Sequence, residues 1–256
     1  MTLNMLYLPV SQRLLLANAR EHGLARADDA VETGYLMHAL FVRLFGELTP
    51  VPFAVQEADW HEPAQMPVLA YSLNDHQALA ARAAPDPLAS AIAWQRAGTR
   101  ALPAFGAGQT LSYRVRVCPA VRVGKHHPVL RPGAEVDPYV VQKLRQEQSD
   151  DPAQVPERMD VYRQWLQERF GVAANMATCR IAAMRDARLW RKGVPGAGRA
   201  IAGRQGFGGR RMLARRELIC EGQLVVNDET AFAALLARGL GRHRAFGFGM
   251  LLLKPV

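Results

Sequence analysis

Cysteine is scarce. Cys118, Cys179 and Cys220 are the three in the chain, widely spaced, and none belongs to a C-x-x-C pair. A disulfide framework or a thiolate metal site is poorly supported by that pattern, and reduced thiols in a cytoplasm are expected. Long apolar runs are missing as well: no stretch of about 20 apolar residues occurs, which argues against a membrane-spanning helix. The first nine residues, Met1 to Pro9, lack a basic region followed by an apolar run and a small-residue cleavage site, so no secretion signal is read there. Clustered carboxylates, the usual seat of a metal-dependent nuclease, are rare. Asp59-Trp-His-Glu62 and Asp150-Asp151 are the candidates, and both read as solvated loop residues. No metal site and no cofactor are expected. His126-His127 falls in a turn-rich stretch and reads as surface.

What is present is a foldable chain. Of its 256 residues 49% are apolar, enough for one large domain or two small ones with separate cores. The net charge is +9, and its placement matters more than its size. Arg180 to Arg216 holds eleven Lys/Arg and a single acid, Asp186, while the remainder carries 21 bases and 22 acids. One basic region on a neutral body points to a polyanionic partner.

Periodicity gives a coarse map. Leu3 to Leu8 reads as a strand, Ser11 to Glu21 as a helix, and Asp29 to Phe45 as a longer helix closed by Gly46. Strands follow at 51–55 and 68–73, then Ala-rich helices at 76–84 and 87–97. Gln109 to Val117 alternates apolar and polar residues, as a half-buried strand does. A break is placed in the loop containing Lys125-His-His-Pro and Arg131-Pro-Gly. Beyond it come a helix at 156–170, strands at 176–184 and 215–226 (the latter a possible hairpin bent at Glu221-Gly222), a helix at 230–238 and a strand at 248–253. Strands are few and connections short, so two small α+β domains, 1–124 and 125–256, fit better than one doubly wound sheet.

Two constellations stand out. In Gly34-Tyr-Leu-Met-His-Ala-Leu, the residues Leu36, Leu40 and Leu44 form the core stripe of a helix, widened by Met37 and Phe41. Tyr35 and His38 are three apart, hence neighbours, and lie off that stripe. An imidazole transfers protons near neutral pH and a phenol can orient or donate; alternatively, both rings simply pack against a second element. The other constellation is Gly239-Leu-Gly-Arg-His-Arg-Ala-Phe-Gly-Phe-Gly, residues 239–249, between a helix and a strand. Glycines let backbone N–H groups approach phosphate, and Arg242, His243 and Arg244 would neutralise it. A dinucleotide or P-loop fingerprint fails on context: no strand precedes the loop and no Lys-Ser/Thr ends it.

This closing segment resembles the C-terminal glycine-rich motif of CRISPR-associated repeat-processing endoribonucleases of the repeat-associated (RAMP) superfamily, and is most similar to the CasE subfamily of type I-E systems. Tyr35-Leu-Met-His38 resembles that subfamily's Tyr-x-x-His pair, and Gly108 to Pro119 resembles the strand that closes its first domain. The resemblance runs in order from Leu3 to the end. Two departures, the helix at 11–21 and an Arg/Gly-rich insertion at about 193–212, point towards a type IV relative, in which an arginine-rich finger lies along the RNA.

The resemblance implies an α+β fold of two tandem ferredoxin-like (RAMP/RRM-like) domains, with the insertion in the second. It implies binding of a CRISPR repeat stem-loop, cleavage at the 3′ base of the stem to give 2′,3′-cyclic phosphate and 5′-OH ends, and retention of the product among other CRISPR effector subunits. His38 would transfer the proton, Tyr35 orient the reacting groups and Arg242 stabilise the transition state; whether the histidine or arginines dominate stays open. The RNA contacts would come from Arg188, Arg191, Lys192, Arg199, Arg204, Arg210, Arg211, Arg215, Arg216, Gly241, Arg242, His243 and Arg244. A non-catalytic RNA-binding subunit of an effector complex is the alternative that the same fold allows.

Overall fold

A computed structural model describes residues 2–22, 24, 33–56, 65–147, 156–192 and 210–256, with 188–192 and 210–213 as backbone only. The chain runs β1 (Asn4–Ser11), α1 (Gln12–Glu21), α2 (Thr33–Phe45), β2 (Phe53–Val55), β3 (Gln65–Ser72), α3 (His76–Ala83) and β4 (Gly98–Ala101). These strands form an antiparallel sheet in the order β2-β3-β1-β4. The pattern is βαββαβ with the last strand beside the first, the ferredoxin-like topology. Alternation in β1 sends Leu6, Leu8 and Val10 to one face, where they meet Leu36, Met37, Leu40, Phe41 and Leu44 of α2 in a single core. Each such side chain contributes about 1.5–3 kcal/mol on burial. The helix at 12–21 forms as expected: Ser11 caps it by accepting from Leu14 N–H, and Leu15 and Ala19 dock it on the same core.

The same topology is then repeated. β5 (Thr110–Val117) is followed by two short strands, β6 (Val121–Arg122) and β7 (Glu135–Val136), and by α4 (Pro138–Glu147). After them come α5 (Arg158–Phe170), β8 (Ala174–Lys192), β9 (Arg210–Val226), α6 (Glu229–Arg238) and β10 (Leu251–Pro255). The second sheet has the order β10-β5-β9-β8, again antiparallel. Leu111, Tyr113, Val115 and Val117 of β5 face Trp165, Leu166 and Phe170 of α5 and Phe232, Leu235 and Leu236 of α6. Two tandem ferredoxin-like units are therefore what the chain builds.

Several boundaries differ from the sequence reading. β5 does not close the first unit; it is hydrogen-bonded between β10 and β9 of the second, so the division falls between Ala101 and Thr110 rather than at 124. β8 and β9 extend to Lys192 and from Arg210, beyond the expected 184 and 215, so the insertion narrows to 193–209, outside the described residues. β9 is one strand with no bend at Gly222. The glycine is needed there because a Cβ would lie 2.0 Å from the Thr178 carbonyl oxygen across the ladder. Residues 87–97 form two short 3₁₀ turns, not one helix.

The two units share a seam. Leu3, Met5, Leu69 and Tyr71, on the face of the first sheet away from α2, pack into the second core. The Tyr71 hydroxyl, buried there, donates to the Leu251 carbonyl at 2.7 Å.

Candidate active site at the glycine-rich loop

The loop from Gly239 to Gly249 turns through left-handed backbone at Gly239, Gly241, His243, Gly247 and Gly249. Four of these five are glycine, which takes that conformation without steric cost; His243, at φ 59°, is the non-glycine exception. The loop is closed on itself by Leu240 N–H to the Gly249 carbonyl at 2.8 Å, and tied to the second sheet by Gly249 N–H to the Arg116 carbonyl at 2.7 Å. Leu240 and Phe248 are buried beneath it.

A short 3₁₀ turn, Arg244–Phe246, carries the loop across the seam to the start of α2. Gly34 permits the approach: a Cβ on it would lie 2.0 Å from the Phe246 carbonyl oxygen. The Phe246 ring then sits edge-on to His38 at 5.3 Å between centroids, tilted against Tyr35 at 5.8 Å, and stacked with His243 at 6.2 Å. The two constellations singled out from the sequence, 200 residues apart, thus meet at one aromatic side chain. Tyr35 and His38 do lie off the core stripe, but they are half-buried and partly covered by the loop rather than open to solvent. His38 Nδ1 is shielded and has no hydrogen-bond partner. Burial lowers the His38 pKa below its ordinary 6.5, because desolvation disfavours the imidazolium. Burial thus favours the neutral ring, the form that can accept a proton.

On the other side of the loop lies a cleft of about 800 Å³ lined by Arg169, Arg238, Arg242, Arg244, Glu135, Glu168, Gly241, His243 and Phe246. Four arginines against two glutamates give its lining an excess of positive charge. Arg242 Nη1 donates to Glu135 Oε1 at 2.6 Å, and His243 Nε2 lies 3.4 Å from Glu135 Oε2. Arg244 Nη1 donates to the Arg238 carbonyl at 2.5 Å.

The remaining basic candidates fall on the β8–β9 ladder or beyond it. Arg188, Arg191 and Lys192 stand on rungs opposite Ala214, Arg211 and Arg210. Arg216 pairs with Asp186 at 3.0 Å, and Arg215 Nη1 donates to the Ala214 carbonyl. Arg199 and Arg204 lie outside the described residues, as do Asp59, Glu62, Asp150 and Asp151. Among the described residues no three His, Cys, Asp or Glu side chains converge. His127 Nδ1 accepts from the backbone N–H of Val129 and Leu130, a turn-stabilising role.

Residues the sequence reading passed over complete the site. Arg116 of β5 and Arg185 of β8 both reach Glu217 of β9, at 2.6 and 2.9 Å, and Glu217 is 2% exposed. A parallel triad, Arg114–Glu221–Arg180, crosses the same three strands. Arg116 also stacks over Phe248 at 4.2 Å and binds Gly249 through its carbonyl, so the inner triad props the glycine-rich loop. The signal was the strand alternation, which puts Arg114 and Arg116 on one face of β5 and Glu217 and Glu221 on one face of β9. Glu135 had no local signal.

Comparison with known proteins agrees with this architecture. A family model described as CRISPR associated protein matches residues 11–255. A solved structure of the CRISPR endoribonuclease Cse3 bound to a 19 nt RNA aligns over 100% of both chains, with 19% identity and a TM-score of 0.60. Thermus thermophilus Cse3, bound to an RNA representing a pre-cleavage complex, also aligns over 100% of both chains, with 20% identity and a TM-score of 0.58. Cas6e from Escherichia coli str. K-12 aligns over 99% of this chain and 100% of its own, with 17% identity and a TM-score of 0.56. At these identities the likeness is one of fold. No curated protein sequence matches the chain. Because the family model spans both ferredoxin-like units and the loop that joins them, the chain belongs to the CRISPR-associated protein family.

Proposed function

We propose that the protein is a CRISPR repeat-processing endoribonuclease that cuts RNA by the substrate's own 2′-hydroxyl. The observation that carries the reading is the meeting of Tyr35 and His38 with the glycine-rich loop, beside an arginine-lined cleft. An RNA strand supplies the nucleophile, so the protein has to align it, take its proton and stabilise charge on phosphorus. Neutral His38 accepts the 2′-OH proton as that oxygen bonds to phosphorus. The bond from phosphorus to the 5′-oxygen breaks, and the 5′-oxygen leaves with a proton drawn from solvent. The products are a 2′,3′-cyclic phosphate and a 5′-OH. Tyr35 orients the reacting groups, and Arg242, a permanent cation, stabilises the phosphorane. The substrate is the repeat stem-loop of precursor CRISPR RNA, cut at the 3′ base of the stem. The protein keeps the product and joins other CRISPR effector subunits; the likeness of its fold to a chain of a CRISPR RNA-guided surveillance complex supports the second part.

One gel tests this. The protein is incubated with a repeat hairpin in EDTA, alongside the same hairpin carrying a 2′-deoxy residue before the scissile phosphate. Cleavage of the first and not the second is expected. A strict requirement for Mg²⁺ or Mn²⁺ would refute the metal-free chemistry. Tight binding with no cleavage in either buffer would make the protein a guide-holding subunit, which the covering of His38 by Phe246 also suits.

A further inference from the structure

Glu135 sits on β7, one of two short strands that the ferredoxin-like pattern does not require. Its side chain is 9% exposed, yet it is an acid in a cleft otherwise suited to anions. A buried carboxylate persists only where cations or donors compensate it. Here the compensating cation is Arg242, and the next residue of the glycine-rich loop, His243, packs beside the same carboxylate. Oε1 takes Arg242 Nη1 at 2.6 Å, and Oε2 lies 3.4 Å from His243 Nε2. Oε2 is shielded from solvent and accepts no hydrogen bond.

Both contacts have consequences beyond the ion pair. A guanidinium has five N–H donors in one plane, so fixing Nη1 fixes where the other donors point. The Arg242 side chain is 37% exposed, towards the cleft. His243 has left-handed backbone, which a residue with a side chain keeps only when its surroundings hold it there. The His243 ring stacks on Phe246, and Phe246 is the ring against Tyr35 and His38. Glu135 therefore stands at one end of a contact chain whose other end is the proton-transfer pair.

We propose that Glu135 is a positioning residue for RNA cleavage: it aims Arg242 into the cleft and, through His243, seats Phe246 beside His38. This rests on the endoribonuclease reading above. The competing role for a buried acid in such a cleft is that of an internal anion that excludes phosphate, and the two roles predict opposite effects of its removal.

The test is single-turnover cleavage of the repeat hairpin at saturating protein, with hairpin affinity measured separately. It uses the wild type, Glu135→Ala, Glu135→Gln, Arg242→Ala and the double variant Glu135→Ala/Arg242→Ala. Glu135→Ala is expected to slow the saturated rate roughly tenfold or more while affinity stays within about threefold. Glu135→Gln, which keeps an acceptor for Arg242, should recover part of the rate. The double variant should lose less than the sum of the two single losses, since the part that Glu135 carries through Arg242 is already gone once Arg242 is removed. If Glu135→Ala melts early, the same cycle is run in the Gln background. Wild-type or faster cutting by Glu135→Ala, additive losses in the double variant, or lost affinity with an unchanged saturated rate would each overturn the inference while leaving the endoribonuclease reading intact. A wild type that binds and never cuts would overturn both.

Discussion

Gly34→Ala separates geometry from stability at this site. Alanine is the better helix former, by up to about 1 kcal/mol in a helix interior and less in the first turn, where Gly34 lies. Against that gain, the new Cβ would stand 2.0 Å from the Phe246 carbonyl oxygen and 2.7 Å from its carbon. Ordinary contact needs well over 3 Å, so helix and loop must part by roughly 1 Å or more, an overpacking cost of about 1–3 kcal/mol. The net loss is about 0–3 kcal/mol, which for a chain of this size lowers the melting temperature by up to about 10 °C. The catalytic effect is expected to be far larger. Displacing Phe246 by about 1 Å shifts the wall of the Tyr35–His38 pocket and the aim of the loop, a misplacement that can lower a rate about 10²-fold. Circular-dichroism melts and single-turnover hairpin cleavage are run side by side. Gly98→Ala serves as control, because nothing lies within 4 Å of a Cβ there. A folded Gly34→Ala protein that cleaves within about threefold of wild type would refute the claim that this seam sets the site's geometry.

His38→Ala should lower the cleavage rate roughly 10²-fold or more with hairpin affinity nearly unchanged; normal cutting with a dead Arg242→Ala would pass the chemistry to the arginine. Burial depresses the His38 pKa in the fold, so as pH falls through 6.5 the unfolded chain takes up its proton first. Urea melts should therefore show a stability contribution that is complete above pH 6.5 and lost as pH drops towards the folded pKa, and His38→Ala should abolish that dependence. Tyr71→Phe removes the donor to the Leu251 carbonyl in the seam and should cost about 1–3 kcal/mol by urea denaturation, provided that carbonyl gains no new partner. Deleting residues 193–209 should weaken hairpin binding and reduce its salt slope by a little under one unit per lost phosphate contact, and an unchanged slope would show that the segment does not meet RNA.

Local physics made much of this molecule legible. The 3.6-residue stripe through Leu36, Leu40 and Leu44 gave α2 its core face and left Tyr35 and His38 off it. The glycines of the C-terminal loop read as points where backbone can approach phosphate, and Gly239, Gly241, Gly247 and Gly249 take left-handed backbone there. Long-range pairing was not legible. The alternation of Thr110 to Val117 is the same whichever sheet receives it, and nothing local says that β9 and β10 are its neighbours. The outer parts of β8 and β9 escaped because Arg188-Leu-Trp-Arg does not alternate apolar with polar residues. α4 went unread although Asp137-Pro138 is a strong start signal: Asp137 caps it by accepting from Tyr139 N–H at 2.8 Å. Glu135 and Arg242 are 107 residues apart, and no periodicity in one sequence couples two such positions.

The outermost strand of the second sheet poses a solubility problem. β8 has nineteen residues, and among the described strands it pairs with β9 alone. At about 3.3 Å per residue its free edge is roughly 60 Å long, a ready template for strand addition by a second copy of the chain. Two irregularities, between Met176 and Thr178 and between Ile181 and Ala183, break the edge's flatness. Arg180 and Arg185 stand along it with side chains 73% and 52% exposed. Kinks and protruding cations are the means by which a long edge resists self-association. The exposed charge on this strand thus makes its edge a poor template for a second copy of the chain.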